Sequence, residues 1–123
     1  EKIEALGEDH PIAKMIEDEE LLMIPLAHIR GRNLRGKFSM LDEGQNTSNH
    51  MMKSFITRHM DSSKTIVTGD IEQIDDQNLH KYNNGLVNLI EKGKYEPYIA
   101  HLTMDITPVS KRGKLATFGS KKL

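Results

Sequence analysis

Two acids stand directly after a short, largely apolar run in FSMLDEGQN, residues 38 to 46, and a third follows another in TIVTGDIEQID, residues 65 to 75. Carboxylates so placed suit metal-assisted phosphoryl chemistry: one holds a magnesium ion, usually through water, while its neighbour polarises the water that attacks phosphorus. Asp42 and Glu43 have the types and adjacency for those two roles. In Gly69-Asp70-x-x-Gln73 the glutamine would bring an amide near a terminal phosphate, and the glycine permits a close backbone approach. Asp42-Glu43 alone reads equally well as a strand end with two solvated acids. A second strand ending on an acid, with glutamine at a fixed distance, is rarely accidental.

The elements that must present these residues alternate along the chain. Residues 9 to 18 (DHPIAKMIED) read as a short helix with Asp9 as N-cap, Pro11 in the first turn and Ile12, Met15 and Ile16 at helical spacing. Residues 20 to 25 (ELLMIP) form an apolar run closed by proline and read as a buried strand or strand edge. The basic, glycine-containing stretch 28 to 37 reads as a loop leading into a buried strand at 38 to 41. HMMKSFITRHM, residues 50 to 60, predicts a helix capped by Ser48 or Asn49, and KTIVT, residues 64 to 68, a second strand. GLVNLIEK, residues 85 to 92, predicts a helix stopped by Gly93. The alternating run at 99 to 106 predicts a further strand, and 111 to 123 a closing helix. Strands and helices alternating at this pace indicate parallel crossover units, hence an α/β sheet flanked by helices.

Composition narrows the partners. The chain has 123 residues, 37% of them hydrophobic, and 17 basic residues against 18 acidic ones, a net charge of −1. That balance supplies no global field toward nucleic acid or membranes. The absence of cysteine removes disulfides, thiolate metal sites and thiol nucleophiles, and fits a reducing cytoplasm. No apolar run approaches the roughly 18 residues needed to span a bilayer. The six histidines are scattered without a metal-ligand pairing such as HExxH. The first residue is Glu1, not methionine, which predicts further sequence upstream.

Residues 26 to 75 resemble the core of the PhoH family of P-loop ATPases. The family's pattern of a hydrophobic strand, RGR, DEAQN, a helix carrying TR, and then VTGD-x-x-QID is met here by Arg30-Gly31-Arg32, Asp42-Glu43-Gly44-Gln45-Asn46, Thr57-Arg58 and Val67-Thr68-Gly69-Asp70-Ile71-Glu72-Gln73-Ile74-Asp75. Gly44 replaces the usual alanine. Asn84-Gly85-Leu86, the run at 99 to 104 and Lys111-Arg112 resemble the family's final portion more weakly.

The resemblance implies a partial P-loop NTPase domain of the RecA-like type, of which residues 1 to 123 are the C-terminal portion. It implies ATP and Mg²⁺ as ligands, Asp42 as the metal-holding residue, Glu43 as catalytic base and Gln73 as γ-phosphate sensor, as in the related superfamily-one helicases. Asp70 would support the nucleotide site. Arg30, Arg32 and Arg58 match family arginines that bind phosphate or a neighbouring subunit, although a solvated or internally paired arginine is the commoner outcome. Arg112 would neutralise transition-state charge in cis or in trans. RNA or single-stranded nucleic acid and a homo-oligomeric ring enter as implied partners, by helicase analogy.

The family's phosphate-binding loop, GxxxxGK[ST], belongs upstream of this stretch. Gly31 to Phe38 imitates it, but the eighth position is Phe38 and the segment leads into a strand, so neither a hydroxyl for magnesium nor a helix N-terminus for phosphate is supplied. Two readings follow: the water-activating part of an ATPase, or a non-catalytic regulatory or assembly fragment without the loop. On either, the 123-residue chain alone is expected to be inactive, because the missing loop amides and lysine hold the phosphates.

Overall fold

Ser48 stands before a run with apolar residues at helical spacing, and its hydroxyl accepts the Met51 N–H at 3.2 Å. This N-cap starts helix α2, Asn49–Ile56, the second helix of the computed structural model, which describes residues 10–104. The first, α1 (Pro11–Glu17), is capped by His10, whose Nδ1 accepts the Ile12 N–H at 3.2 Å. The expected cap, Asp9, lies outside the described residues. Helix α3, Gly85–Gly93, starts at Asn84, whose side chain accepts the Val87 N–H at 3.0 Å and donates to the His80 carbonyl at 3.1 Å. Gly93 is the last residue of α3, and its role is space: a Cβ there would meet Ile99 Cδ1 at 2.7 Å.

Strands β1 (Phe38–Leu41) and β2 (Lys64–Val67) pair in parallel, Phe38 opposite Lys64 and Leu41 opposite Val67. A parallel pair needs a crossover between its strands, and α2 occupies it. One face of this two-stranded sheet, carrying Leu41 and Val67, packs on a core of Ile29, Met52, Phe55 and Leu86. His59 fastens the end of the α2 segment to β1. Its Nδ1–H donates to the Phe55 carbonyl at 3.1 Å, leaving Nε2 to accept from the Ser39 hydroxyl at 2.5 Å. The other face presents Phe38, Met40 and Ile66 to solvent, so β1 is buried on one side only.

Among the described residues, two expected strands do not form. At 20 to 25 the chain is used for other purposes: the Glu20 and Leu21 N–H groups both donate to the Met15 carbonyl at 2.9 Å, closing α1, and Pro25 opens a 3-10 turn, Leu26–His28. Leu22 and Met23 are left exposed. In the other run, Ile99 N–H closes a turn onto the Glu96 carbonyl at 3.1 Å, and residues 100 to 104 pair with nothing among the described residues. Apolar alternation makes a strand only where a neighbour offers its ladder. The last two residues of that run and the expected helix at 111 to 123 lie outside the described residues.

Candidate functional site

The register decides which acids meet. With Leu41 opposite Val67, the residues just beyond, Asp42 and Thr68, leave the sheet side by side, and the ladder's end is sealed by Thr68 N–H to the Leu41 carbonyl (2.9 Å) and Gly44 N–H to the Thr68 carbonyl (2.8 Å). Asp42-Glu43 and Gly69-Asp70 therefore share one edge, the C-terminal edge of a parallel sheet, where open α/β sheets bind ligands. The stretch Gly31 to Phe38 runs into β1, with no helix after it.

Asp42 Oδ1 accepts the Thr68 hydroxyl at 2.7 Å and the Glu43 N–H at 3.0 Å. The Thr68 bond chiefly, with the backbone N–H second, holds the Asp42 carboxyl below the usual carboxylate range. Oδ2 accepts no hydrogen bond among the described residues and the side chain is exposed. A fixed, ionised carboxylate with one outward oxygen fits magnesium, which keeps several waters and takes one or two protein carboxylates together with substrate phosphates.

Glu43 occupies the left-handed region, φ 56°, an uncommon conformation for a non-glycine residue that clusters at functional sites. Its exposed carboxylate receives one bond, from Gln45 Nε2 at 2.5 Å. Gln45 lies in a 3-10 turn, Gly44–Asn46, and is wholly buried, at 0% exposure. Its amide also donates to the Gln73 carbonyl at 3.0 Å, and its Oε1 accepts the Asp70 N–H at 3.1 Å. Gly69 makes room for this: a Cβ there would meet Gln45 Oε1 at 2.5 Å and Leu86 Cδ2 at 2.8 Å.

Asp70 and Gln73 form a turn of their own. Gln73 N–H donates to the Asp70 carbonyl at 3.0 Å, Asp70 Oδ2 accepts Gln73 Nε2 at 2.7 Å, and Oδ1 accepts the Glu72 N–H at 2.9 Å. A second cross-link joins the two loops through Asn46, whose Oδ1 accepts the Asp75 N–H at 2.8 Å. Beneath both turns sits Leu86 of α3. That helix is tied to the first loop by Gly85 N–H to the Thr47 carbonyl at 2.7 Å.

Among the described residues, the candidate arginines are not part of this cluster. Arg30 bonds His50 Nε2 at 2.7 Å, beside a shallow hollow lined by Leu26, Ile29, Met51 and Ser54, and no hydrogen bond or ion pair joins it to Asp42, Glu43, Asp70 or Gln73. Arg32 is exposed and makes no side-chain hydrogen bond among the described residues. The Arg58 Nε is buried without a partner among the described residues. Arg112 lies outside the described residues. Sequence reasoning assigned no role to Gln45 or Thr68. The signal for Gln45 was a long polar side chain four residues past the end of a packed strand, and for Thr68 its position opposite Asp42 once the two strands are set in register.

Among the described residues no helix is long and apolar enough to cross a membrane. The chain matches the PhoH-like protein family over residues 1–117. It is 42% identical over 72 residues to Protein PhoH2 of Bacillus subtilis, covering 58% of this chain and 16% of that protein. A PhoH-like protein of the same organism is 44% identical over 72 residues, 58% of this chain and 22% of that protein. Protein PhoH2 of Mycolicibacterium smegmatis is 29% identical over 115 residues, 94% of this chain and 26% of that protein. The chain thus spans only about a sixth to a quarter of the length of these relatives. With the family matched across nearly all its residues, the chain belongs to the PhoH-like protein family.

Proposed function

We propose that this chain carries the magnesium-holding and water-activating part of an ATP-hydrolysing site, within a P-loop NTPase domain of which residues 1 to 123 are the C-terminal portion. The observation that carries this reading is the shared sheet edge: Asp42-Glu43 from β1 and Asp70 with Gln73 from β2, locked together through Thr68 and Gln45. The open face of Phe38, Met40 and Ile66, and the small share of its relatives that the chain spans, support a larger domain around it.

When nucleotide is bound, Mg²⁺ would supply charge neutralisation on the phosphates. Asp42, held ionised, would orient the metal's water shell through its outward oxygen. Glu43 would take the proton of the attacking water, and the Gln73 amide, now on Asp70, would turn to the γ-phosphate. Phosphate binding itself would fall to a GxxxxGK[ST] loop outside this chain. Arg112 is the proposed charge-neutralising arginine, and Arg30 and Arg32, remote from the acids in their contacts, are proposed to serve phosphate or a neighbouring subunit. Coupling to RNA or single-stranded nucleic acid rests on the helicase resemblance alone, and its sign would be stimulation of hydrolysis by that polymer.

The test is ATP hydrolysis by the full-length protein. Turnover should require Mg²⁺ and stop on chelation, Asp42→Asn should raise the magnesium concentration needed, and the 123-residue chain alone should show nothing above a buffer control. An Asp42→Asn protein with the wild-type magnesium requirement contradicts the metal assignment. A full-length protein inert toward ATP favours the regulatory or assembly role.

A further inference from the structure

We infer that Gln45 is a positioning residue that couples the γ-phosphate-sensing turn to the catalytic base, an inference that rests on the hydrolytic reading above. Three observations converge on it. The side chain is wholly buried at the seam between the two strand ends, although a buried amide is costly unless its donors and acceptor are all used. All three are used. One amide hydrogen goes to Glu43 Oε2 (2.5 Å), the other to the Gln73 carbonyl (3.0 Å), and the oxygen takes the Asp70 N–H (3.1 Å).

Glu43, in turn, has no other side-chain hydrogen bond among the described residues, and its backbone sits at φ 56°, so the direction of its carboxylate depends on this one donor. Finally, a Cβ on Gly69 would meet Gln45 Oε1 at 2.5 Å, so the second strand end is shaped to admit this amide. Both anchors on the β2 side are backbone groups of the turn whose side chain, Gln73, is proposed to meet the γ-phosphate. A shift of that turn on nucleotide binding moves the groups that hold the Gln45 amide, and the amide carries the shift to the Glu43 carboxylate. Water activation is thereby tied to an occupied γ-phosphate position.

Two variants of the full-length protein test this. Gln45→Glu is isosteric and keeps an oxygen for the Asp70 N–H, while setting an oxygen where the donor faced Glu43; Gln45→Met keeps volume and removes every bond. The expected result is a fall in kcat of about tenfold or more, of the order that a misplaced catalytic group produces, with affinity for a non-hydrolysable ATP analogue within about twofold of wild type. A purely structural role would leave the kcat of the folded fraction unchanged, and that result overturns the inference.

Should neither variant fold, the side-chain spectrum of the wild-type protein labelled with ¹⁵N-glutamine decides. The Gln45 amide signal is expected to shift when magnesium and the analogue saturate the site, and a signal indifferent to them overturns the inference. Glu43→Gln separates the two levels. If it abolishes hydrolysis while the Gln45 variants keep wild-type kcat, only the coupling role fails; if Glu43→Gln itself hydrolyses normally, the reading beneath it fails.

Discussion

The strand-end loops and the segments at 20 to 25 and 99 to 104 are opposite cases within one small chain. The loops are polar and irregular, yet they are held closely: Gln45 is 0% exposed and bonded at every polar atom, and both turns rest on buried Leu86. The other two segments are apolar and suited to strands, yet they lie outside the sheet, with Met23 at 70% and Leu102 at 85% exposure. Hydrophobic pattern did not make structure where no ladder was offered, whereas side-chain hydrogen bonds fixed loops that have no regular pattern. Order here follows from whether polar and apolar groups have found partners.

The difference can be pressed by substitution, measured by urea unfolding. Leu86→Ala removes the floor of both turns and should destabilise by about 2–5 kcal/mol, enough to threaten a chain of this size. Gly69→Ala drives a methyl into Gln45 Oε1 and Leu86 Cδ2; it should cost about 1–3 kcal/mol, as overpacking does, and loosen Glu43 with it. Leu102→Ala should change stability by less than about 0.5 kcal/mol, as surface substitutions do. A large loss from Leu102→Ala together with a small one from Leu86→Ala would show that the loops are not the better-held part of the molecule.

The mildest probe is electrostatic. Because the Thr68 hydroxyl and the Glu43 N–H hold Asp42 below the ordinary carboxylate value, their contribution to stability is present above about pH 4 and lost as pH falls through the lowered folded value. Thr68→Val should move the Asp42 titration, followed by carboxyl-carbon NMR, back up toward the ordinary range. Asp42 is fully exposed, so little change in stability should accompany it.

Much of the site was legible because it is written in local order. Asp42-Glu43 and Gly69-Asp70-x-x-Gln73 each follow a strand directly, and both strands form where their composition placed them. Helices α2 and α3 were legible from helical spacing, and α2 also from its cap Ser48, whereas the Asn84 cap of α3 came from the structure. What was not legible depends on register and on partners far along the chain. Thr68 faces Asp42 only because Leu41 pairs with Val67, and Gln45 acquires its role from backbone groups on residues 70 and 73. The strand expected at 20 to 25, and the described part, 99 to 104, of the one expected at 99 to 106, fail for the same reason in reverse: composition states what a segment could pair with, and nothing in it says that a neighbour is there.

The proposed role of Glu43, set in a left-handed turn at the shared strand edge, is to activate the water that attacks ATP. Its most direct test is single-turnover hydrolysis by full-length Glu43→Gln, with binding of a non-hydrolysable analogue measured on the same protein. The chemical step is expected to slow by about 10²–10⁴-fold, the usual worth of a general base, while the analogue binds as in wild type. Hydrolysis at the wild-type rate by a Glu43→Gln protein that still binds the analogue would contradict it.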